Sequence, residues 1–479
     1  MQKSTMDNIN NKLDEIAKRY FGDDEDNKKE PESHEFKHDL KHPPGLVGSV
    51  TDYINSQCLY PREHLSVIAA ITAVGNIGGL NHKLDGGRIT SNIFSFGIAG
   101  SGTGKESVIQ AFNALHIEAG ISGAVHGKIK SEQEIIRNLL RHQSSYYNID
   151  ELGIFMRQLA SSHKSGGASY LQGIIGMLMS AYSKASGHLL LSGDVKEDAQ
   201  KSMFKDLAVF EKKMDEGIDC TQEIASLKQQ IINLDKGLFN PFLSIIGFST
   251  PTTFNESVSF EQVTSGFIGR SIIVNEPDTN PKAKRNFEYV DMPQDLKDDI
   301  LMLRCNGEYD ASNRRIEANG SYGIVNTTPE AKELLRDVLE WFWNEAEKHT
   351  ERTGFEAVVR RGYEMVEKVS FILAMGGTER TLECVEWANE YIRRDIEYKT
   401  LLAYSNVKEK ADPVESMAAK ILCSIGEDGI TVGKLVNKYR VKKSLVEEAI
   451  VLLEAKGKVY TEERKSKYRN EPSRFIFAK

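Results

Sequence analysis

Short apolar runs alternate with helical patterns in the middle of the chain, from Ile93 to about residue 290. The runs NIFSFGIAG, YYNID, PFLSIIGFS and SIIVN are short and mostly apolar, which is typical of buried strands. Between them, apolar residues recur at intervals of three and four and predict helices. Strands that alternate with helices favour a mostly parallel sheet covered on both faces. We therefore predict an α/β core.

Helical patterns flank this core. An apolar stripe at residues 5–20 predicts a short amphipathic helix, and the acidic segment after it predicts a flexible linker. The run LSVIAAITAVGNIGG predicts a buried helix. We divide the chain into an N-terminal helix (1–21), an acidic linker (22–40), a helical region (41–85), the α/β core (86–290) with an insertion (158–240), a helical, lid-like region (291–405) and a C-terminal domain (411–479).

The C-terminal domain has the pattern of three helices followed by a two-stranded ribbon, the plan of a winged helix-turn-helix. It carries 14 Lys and Arg against 10 Asp and Glu, a balance of +4, in a chain whose net charge is −8. Such local basic residues predict contacts with DNA phosphates, although winged helices also bind proteins and that alternative stays open. The candidates are Lys442, Lys443, Arg464, Lys465, Lys467 and Arg469.

Composition excludes several other classes of protein. A chain of 479 residues is too long for one compact core. The five cysteines are far apart and form no CxxC pair, so we expect neither a zinc site nor a disulfide framework. The sequence has no apolar run of membrane-spanning length and no signal-peptide core. We therefore expect a cytoplasmic protein that does not contact a membrane.

The strongest candidate for chemistry is the segment AGSGTGKES, which follows a predicted strand and opens a helix. Glycines allow backbone N–H groups to curl around a phosphate chain, and the helix N-terminus adds positive potential. This context predicts a phosphate-binding loop (P-loop) for ATP, with the lysine at the β- and γ-phosphates. Its residues are Ala99, Gly100, Ser101, Gly102, Thr103, Gly104, Lys105, Glu106 and Ser107.

The expected magnesium arrangement departs from the usual motif. Glu106 stands where Ser or Thr normally holds Mg²⁺, and Ser107 lies about 100° further round the helix. Either Glu106 binds Mg²⁺ directly or through water, or the ion is held mainly from elsewhere. The predicted strand YYNI ends in Asp150 and Glu151, which supply a carboxylate for Mg²⁺ and a general base for the attacking water.

Further polar residues predict a sensor and an arginine finger. Ser249 and Thr250 end the third strand, where a hydroxyl would lie beside the γ-phosphate; a helix-capping role is the alternative. Arg270 lies between a helix and the fourth strand, the place from which oligomeric ATPases present arginine to a neighbouring subunit; a structural ion pair is the alternative. Arg361 is a candidate for reaching the γ-phosphate of its own chain, or is a packing residue.

The insertion carries basic side chains near Gly- and Ser-rich segments. In ring helicases such loops line the channel that binds single-stranded DNA, and these side chains would suit that role. Solvated charges on an exposed hairpin are the alternative. The residues concerned are His163, Lys164, Lys184, His188 and Lys196.

These motifs together resemble the YfjI-like family of helicase-related ATPases of phages and prophages. The segment HPPGLVGSVTDYINSQCLYP is similar to that family's entry segment, and AGSGTGKES, NIDE, PFLSIIGFSTP and SGFIGR stand where its nucleotide motifs stand. The resemblance covers about residues 40–390. It implies a P-loop ATPase core of the AAA+ or superfamily-3-like type, encoded near phage replication genes.

We therefore expect a ring-forming, hexameric, ATP-dependent DNA motor, a replicative helicase of a phage or mobile element. Its cofactors would be ATP and Mg²⁺. Its partners would be single- and double-stranded DNA, further copies of the chain and other replication proteins. One alternative is an ATP-switched initiator or loader that binds DNA through the winged helix without translocating. The other is a non-enzymatic DNA-binding regulator whose P-loop has decayed.

Overall fold

The computed structural model describes residues 37–161, 169–257, 266–276, 281–306, 309–310, 315–316, 322–349, 355–411, 413–422, 425, 429–439, 441–455, 458–465 and 472–478. The predicted N-terminal helix lies outside them. The helices are α1 (Gly45–Ser56), α2 (Glu63–Gly78), α3 (Lys105–Glu118), α4 (Glu132–His142), α5 (Leu152–Ser161), α6 (Ser169–Ser183), α7 (Gly193–Asp215), α8 (Thr221–Lys236), α9 (Pro251–Ser257), α10 (Gln294–Arg304), α11 (Pro329–Glu347), α12 (Phe355–Ala374), α13 (Leu382–Ala411), α14 (Pro413–Leu422), α15 (Val432–Tyr439) and α16 (Lys443–Ala455). The strands are β1 (His82–Leu84), β2 (Phe94–Ile98), β3 (Val125–His126), β4 (Ser144–Ile149), β5 (His188–Leu189), β6 (Leu238–Phe239), β7 (Phe242–Ser249), β8 (Ser271–Asn275), β9 (Tyr309–Asp310), β10 (Arg315–Ile316), β11 (Gly323–Thr327), β12 (Glu379–Arg380), β13 (Ile430–Thr431), β14 (Val459–Lys465) and β15 (Pro472–Ala478).

The core is a five-stranded sheet in the order β3-β4-β7-β2-β8. Every neighbouring pair is parallel. All five strands therefore end on one side of the sheet, which we name the strand-end side, and begin on the other, the strand-start side. The prediction of an α/β chain with a parallel sheet is confirmed. The fifth strand, β3, has two residues, too few to produce a hydrophobic pattern.

Helices cover both faces of this sheet. On one face, the Thr72 hydroxyl of α2 donates to the Ser95 hydroxyl of β2 at 2.8 Å. On the other face, the ring of Phe94 lies 4.8 Å from the ring of Tyr182 in α6. Successive side chains of a strand point to opposite faces, so both sets become buried. This burial extends along the whole length of β2 and β7 and explains why most of their residues are apolar.

Helix α2 is the most apolar helix among the described residues. The segment Glu63–Asn81 is long and apolar enough to cross a membrane, but 83% of its apolar window is buried inside the protein. Every residue from Leu65 to Gly78 is buried. The apolar character of α2 is therefore that of a core helix, as the sequence predicts.

The edge strand β8 is covered by α13 rather than left open. The backbone N–H of Ile273 donates to the Asp395 carboxylate at 2.7 Å, and the Lys399 ammonium donates to the carbonyl of Ser271. Asp395 and Lys399 also pair with each other at 2.6 Å, and both are buried. Burial raises the pKa of Asp395, and the ammonium of Lys399 opposes that rise. Side chains of α13 thus occupy backbone groups that an edge strand would otherwise expose.

The two helical regions that flank the core in sequence are joined by a small sheet. Strand β1 from the first region pairs with β11 and β12 from the second in one parallel sheet. Helices α2 and α12 also pack closely, since a Cβ added at Gly75 would lie 3.0 Å from Ile372. In addition, α13 continues to Ala411, through the interval between the predicted helical region and the predicted C-terminal domain. Sequence order alone does not reveal such pairing.

The insertion is a long helical hairpin on a short ribbon. Strands β5 and β6 pair in antiparallel register, and α7 and α8 extend from them. Met203, Leu207 and Leu227 form a small buried cluster between the two helices. Arg137 of α4 pairs with Asp206 of α7 and so fixes the hairpin against the core.

The C-terminal residues form a unit with its own hydrophobic core. Helices α14, α15 and α16 pack against an antiparallel sheet in the order β13-β15-β14. Strands β14 and β15 form the predicted ribbon over seven residue pairs. The short strand β13 is an addition to the prediction, and it pairs Ile430 with Ile476.

Candidate active site

The glycine-rich loop connects the end of β2 to the start of α3. Two of its residues, Gly102 at φ 70° and Gly104 at φ 95°, have left-handed backbones. A Cβ added at Gly104 would also lie 3.2 Å from the Cβ of Tyr60. This path is therefore suited to glycine, for which a positive φ carries no steric penalty.

Lys105 is the first residue of α3. Its ammonium has no hydrogen bond or ion pair with the residues that the structure describes. The N-cap residue of α3 is Gly104, which has no side chain that could accept a hydrogen bond from the first N–H groups of the helix. A helix N-terminus with a free lysine beside it attracts anions.

Arg62 holds the glycine-rich loop through a hydrogen bond. It is fully buried, and its Nε donates to the carbonyl of Thr103. The Thr103 hydroxyl in turn donates to the Gly100 carbonyl at 2.7 Å. Glu276 lies nearby; burial raises its pKa, while the N–H of Leu65 and the charge of Arg62 oppose that rise. Sequence reasoning missed Arg62, because a lone arginine before a helix gives no signal of which loop it contacts.

Asp150 and Glu151 follow β4 on the strand-end side, where both are exposed. Strand β7 separates β4 from β2, with Ile98 beside Ser249 and Gly247 beside Ile149. Two strand spacings, about 10 Å, therefore lie between the acidic pair and the start of the loop. The predicted juxtaposition of loop and acids on one side of the sheet is present.

Glu151 has an unusual backbone. Its φ is 61°, a left-handed value that only three other non-glycine residues adopt in the part of the chain that the structure describes. The Glu151 N–H donates to the Asp150 carboxylate at 3.0 Å, and its carbonyl accepts from Ile154 at 2.8 Å. A left-handed glutamate costs roughly 1–2 kcal/mol, and such strain concentrates at functional sites.

The side of α3 that carries Glu106 is turned towards β4. Asn148 of β4 donates to the side-chain oxygen of Asn113 in α3 at 3.0 Å. Asn148 and Asp150 point to the same face of the sheet, while Glu106 and Asn113 share one face of α3. Asp150 and Glu106 are therefore the residues that could hold a cation beside the loop. The described residues contain no group of three or more His, Cys, Asp or Glu that could bind a metal.

The two candidate sensor residues, Ser249 and Thr250, both make contacts within the chain. Thr250 accepts from the N–H of Thr253 at 3.4 Å and donates to its hydroxyl at 2.9 Å, so it caps α9. Ser249 is buried, and its hydroxyl faces Gly153, where an added Cβ would lie only 2.5 Å away. The capping alternative is the one that the geometry favours for Thr250. A strand-end hydroxyl gives no sequence signal that distinguishes these roles.

Arg270 lies on the strand-start side, far from the loop of its own chain. It directly precedes β8, and the register pairs Ser271 with Phe94, the first residue of β2. The loop begins only after Ile98, about 13 Å further along the strand. Its Nη1 donates to the Gly266 carbonyl at 3.0 Å, and Arg270 has no ion pair with the described residues. Of its two predicted roles, the structural ion pair is therefore absent from the described part of the chain.

Arg361, the candidate for the γ-phosphate of its own chain or for a packing residue, lies beside Arg270. A Cβ added at Gly266 would meet Nη1 of Arg270 at 2.6 Å and both terminal nitrogens of Arg361 at 3.4 Å. Burial, and then the charge of Arg270, lower the pKa of Arg361. Its Nη1 is buried without a hydrogen-bond partner among the described residues. Helical periodicity identified the helix but could not say at which side of the sheet it lies.

The predicted DNA-binding residues are dispersed. Lys184 is exposed at the end of α6. Lys196 donates to the Asp235 carbonyl at 2.8 Å, and His188 contacts the Lys236 carbonyl at 2.5 Å, so both brace the insertion. Outside the described residues lie His163, Lys164, Lys467 and Arg469.

In the C-terminal unit, Lys442 and Lys443 are exposed at the start of α16. Lys443 pairs with Glu447 at 3.3 Å. Arg464 and Lys465 end β14, opposite the start of β15. The predicted positions on helix and ribbon are therefore present for these four residues.

No model of a known protein family matches the chain, and no curated protein matches it.

Proposed function

We propose that the chain is a P-loop nucleoside-triphosphatase. One observation carries the proposal: a glycine-rich loop with an unpaired Lys105 and a strained acidic pair, Asp150–Glu151, lie on the same side of one parallel sheet. The β7 strand between them leaves a gap of two strand spacings, about 10 Å, which suits a phosphate chain with its attacking water. The YfjI-like resemblance leads to the same class.

The residues of the site suit hydrolysis of a γ-phosphate. Backbone N–H groups of the loop and of the first turn of α3 would bind the phosphate oxygens, and Lys105 would neutralise the β- and γ-phosphates. Glu151 would accept a proton from water as the water oxygen bonds to the γ-phosphorus. The bond from that phosphorus to the bridging oxygen breaks, and the electron pair leaves with ADP.

Asp150 and Glu106 are the residues that would hold Mg²⁺, directly or through water. When bound, the ion would neutralise charge on the phosphate oxygens. The Asn113–Asn148 bond supports this assignment, because it aligns the helix face of Glu106 with the strand face of Asp150. Glutamate in place of the usual hydroxyl would add a negative charge and favour a tightly held cation.

Arg270 would act on the nucleotide of a neighbouring subunit. Its position on the strand-start side excludes its own loop, and Arg361 beside it adds a second guanidinium without an ion pair among the described residues. Two such arginines suit the charge that develops on a transferring phosphoryl group. In a ring, the strand-start side of one subunit would meet the strand-end side of the next and so bring Arg270 to the neighbouring glycine-rich loop. We propose a ring of six subunits.

We further propose that the motor acts on DNA. Three helices and an antiparallel sheet, with Lys442 and Lys443 exposed at the start of α16, are typical of a winged helix that binds DNA phosphates. Together with the resemblance, this supports an ATP-dependent DNA motor of a phage or mobile element, with other replication proteins as further partners.

ATP hydrolysis in the presence of Mg²⁺ tests the proposal. We expect Glu151→Gln to bind ATP but to hydrolyse it at least 10²-fold more slowly, because the general base is lost. The matched control is Glu330→Gln, since Glu330 is an exposed first-turn glutamate of α11. Equal rates for wild type and Glu151→Gln would remove Glu151 from the base role, and no hydrolysis by wild type in any oligomeric state would reject the proposed class.

A further inference from the structure

A cavity of about 640 Å³ opens on the strand-start side of the sheet. Thr90, Gln143 and Asn240 line it, and they precede β2, β4 and β7 respectively. The loop after β1 and the end of α10 complete its wall. The cavity is therefore on the opposite side of the sheet from the glycine-rich loop, and its volume is that of a ligand-binding pocket.

The wall of this cavity is cationic. Lys83, Arg88 and Arg304 line it, while no Asp or Glu does so in the described part of the chain. None of these three side chains has an ion pair with the residues that the structure describes. Lys83 and Arg88 are exposed. Unneutralised cations that converge on a concave wall attract an anion and raise its local concentration.

Backbone strain also converges on this cavity. Four non-glycine residues have left-handed φ values in the described ranges, and three of them line the cavity: Gln143, Asn240 and Asn306. The fourth is Glu151. A left-handed residue is common just after a helix, which accounts for Gln143 and Asn306. It does not account for Asn240, which lies between β6 and β7. The turns bring three amide side chains to one concave surface.

Aromatic rings accompany the cations. Tyr322 lines the cavity with 52% of its surface exposed, and the Lys83 ammonium lies 3.4 Å from its ring centroid. Phe239, next to Asn240, is 55% exposed and stacks on His188 with 4.2 Å between centroids. The Phe239 carbonyl accepts from the Gln143 side chain at 3.2 Å, which links this ring pair to the wall. Exposed rings beside unpaired cations are the combination that binds single-stranded nucleic acid.

We propose that this cavity binds single-stranded DNA, with backbone phosphates at Lys83, Arg88 and Arg304 and a base stacked at Tyr322. The site deepens the proposed DNA-motor function and rests on it for its biological role, but binding at the cavity requires no hydrolysis. A pocket of this volume admits the bases and phosphates of one strand and excludes a duplex. The amide side chains of Gln143, Asn240 and Asn306 would donate hydrogen bonds to, and accept them from, the bound strand.

Fluorescence anisotropy with a labelled oligo-dT, in the absence of nucleotide, tests the site. We expect the double variant Lys83→Ala/Arg88→Ala to bind roughly 20-fold more weakly at 0.1 M salt, with a log–log salt slope smaller by about 1.4, which is two lost contacts. The matched control is Lys332→Ala/Arg336→Ala, which removes two exposed cations of α11. Tyr322→Ala should weaken binding by about 10-fold with an unchanged slope.

The same measurements in the Lys105→Ala background separate this site from the nucleotide site. Weakened binding by the cavity variants in that background supports the cavity whether or not the chain hydrolyses ATP. An unchanged affinity and slope in Lys83→Ala/Arg88→Ala overturns the proposal. So does tighter binding of dTMP or inorganic phosphate than of oligo-dT, measured by competition against the labelled oligo-dT, because the pocket would then take a small phosphate compound. The single variant Arg88→Glu, at an exposed loop residue, provides the same test if the double variant unfolds.

Discussion

The two sides of the central sheet carry opposite chemistry. The strand-end side combines a glycine-rich loop, one free lysine and the exposed acids Asp150 and Glu151. The strand-start side carries Arg270 and Arg361 in contact with Gly266, and the cationic cavity. Both sides carry left-handed non-glycine residues. They differ in the charge that they offer to a ligand.

The direction of the chain explains part of this difference. Helices such as α3 and α5 begin on the strand-end side, where their N-termini are positive, and α4 and α6 end on the other side, where C-termini are negative. Acids on the first side and bases on the second complement these dipoles. A helix terminus carries only about half an elementary charge, and the cations of the cavity have no ion pairs with the described residues, so we expect these cations to attract an anion as well. Four experiments test this contrast.

Lys105→Ala should have the largest effect. We expect hydrolysis to fall by at least 10³-fold, because the charge that neutralises the transferring phosphate is lost. The half-exposed lysine makes no hydrogen bond or ion pair with the described residues, so the melting temperature should change little. Oligo-dT binding at the cavity should also persist. Loss of both activities in a folded protein would mean that the two sides do not act separately.

Arg270→Ala should reduce hydrolysis by about 10³-fold while nucleotide binding persists. Mixing it with Lys105→Ala should restore part of the activity, because some interfaces then combine an intact loop with an intact arginine. Arg361→Ala should show a smaller loss of about 10-fold. Full-rate hydrolysis by a strict monomer would contradict the assignment of Arg270 to a neighbouring subunit.

His116, which is buried in the core between the two sides, should make the free energy of unfolding depend on pH. Asn76 of α2 contacts its Nε2 at 3.1 Å, and its Nδ1 contacts the Phe112 carbonyl at 2.8 Å. Burial lowers the pKa of His116 to about 4. As pH drops below about 6.5, the ordinary pKa of histidine, His116 binds a proton in the unfolded chain but not in the folded one. The free energy of unfolding should therefore fall as pH drops from about 6.5 to about 4, by about 3 kcal/mol in all.

Urea unfolding at several pH values would measure this loss. His116→Gln should flatten the dependence, whereas His188→Gln, at an exposed histidine, should leave it as in wild type. Identical pH profiles for His116→Gln and wild type would exclude His116 as the source.

Gly153→Ala should have the smallest effect of the four. An added Cβ would meet the Ser249 hydroxyl at 2.5 Å and Thr253 Cγ2 at 2.6 Å, behind the acidic pair. We expect a loss of about 2 kcal/mol in the free energy of unfolding. Gly176→Ala is the matched control, since nothing lies within 4 Å and a gain of about 0.5–1 kcal/mol is expected from the helix. Equal effects of the two variants would show that the strand-end side tolerates repacking.

The sequence predicted the features that depend on residues close together in the chain. Apolar runs located β2, β4, β7 and β8, and glycines before a lysine located the loop. The left-handed backbone of Glu151 was not predictable, because it depends on how the chain turns from β4 into α5. The position of Arg361 beside Arg270 was not predictable for a related reason, since periodicity gives a face of a helix but not its neighbour.

The pairing between the two flanking regions was not predictable from the sequence. Strand β1 has three residues and meets β11 only through tertiary structure, so neither flanking region contains the signal that joins them. The contacts of the candidate sensor hydroxyls were not predictable either. Ser249 and Thr250 are adjacent, but whether each contacts a ligand or a helix depends on the approach of Gly153 and Thr253.

The burial of α2 has a consequence for synthesis of the protein. This helix is synthesised before the whole α/β core, yet one of the elements that cover it, α12, begins only at Phe355. Until α12 is synthesised, a segment apolar enough to cross a membrane therefore lacks part of its cover. We expect nascent chains, and fragments truncated before α12, to aggregate or to occupy chaperones that bind apolar helices.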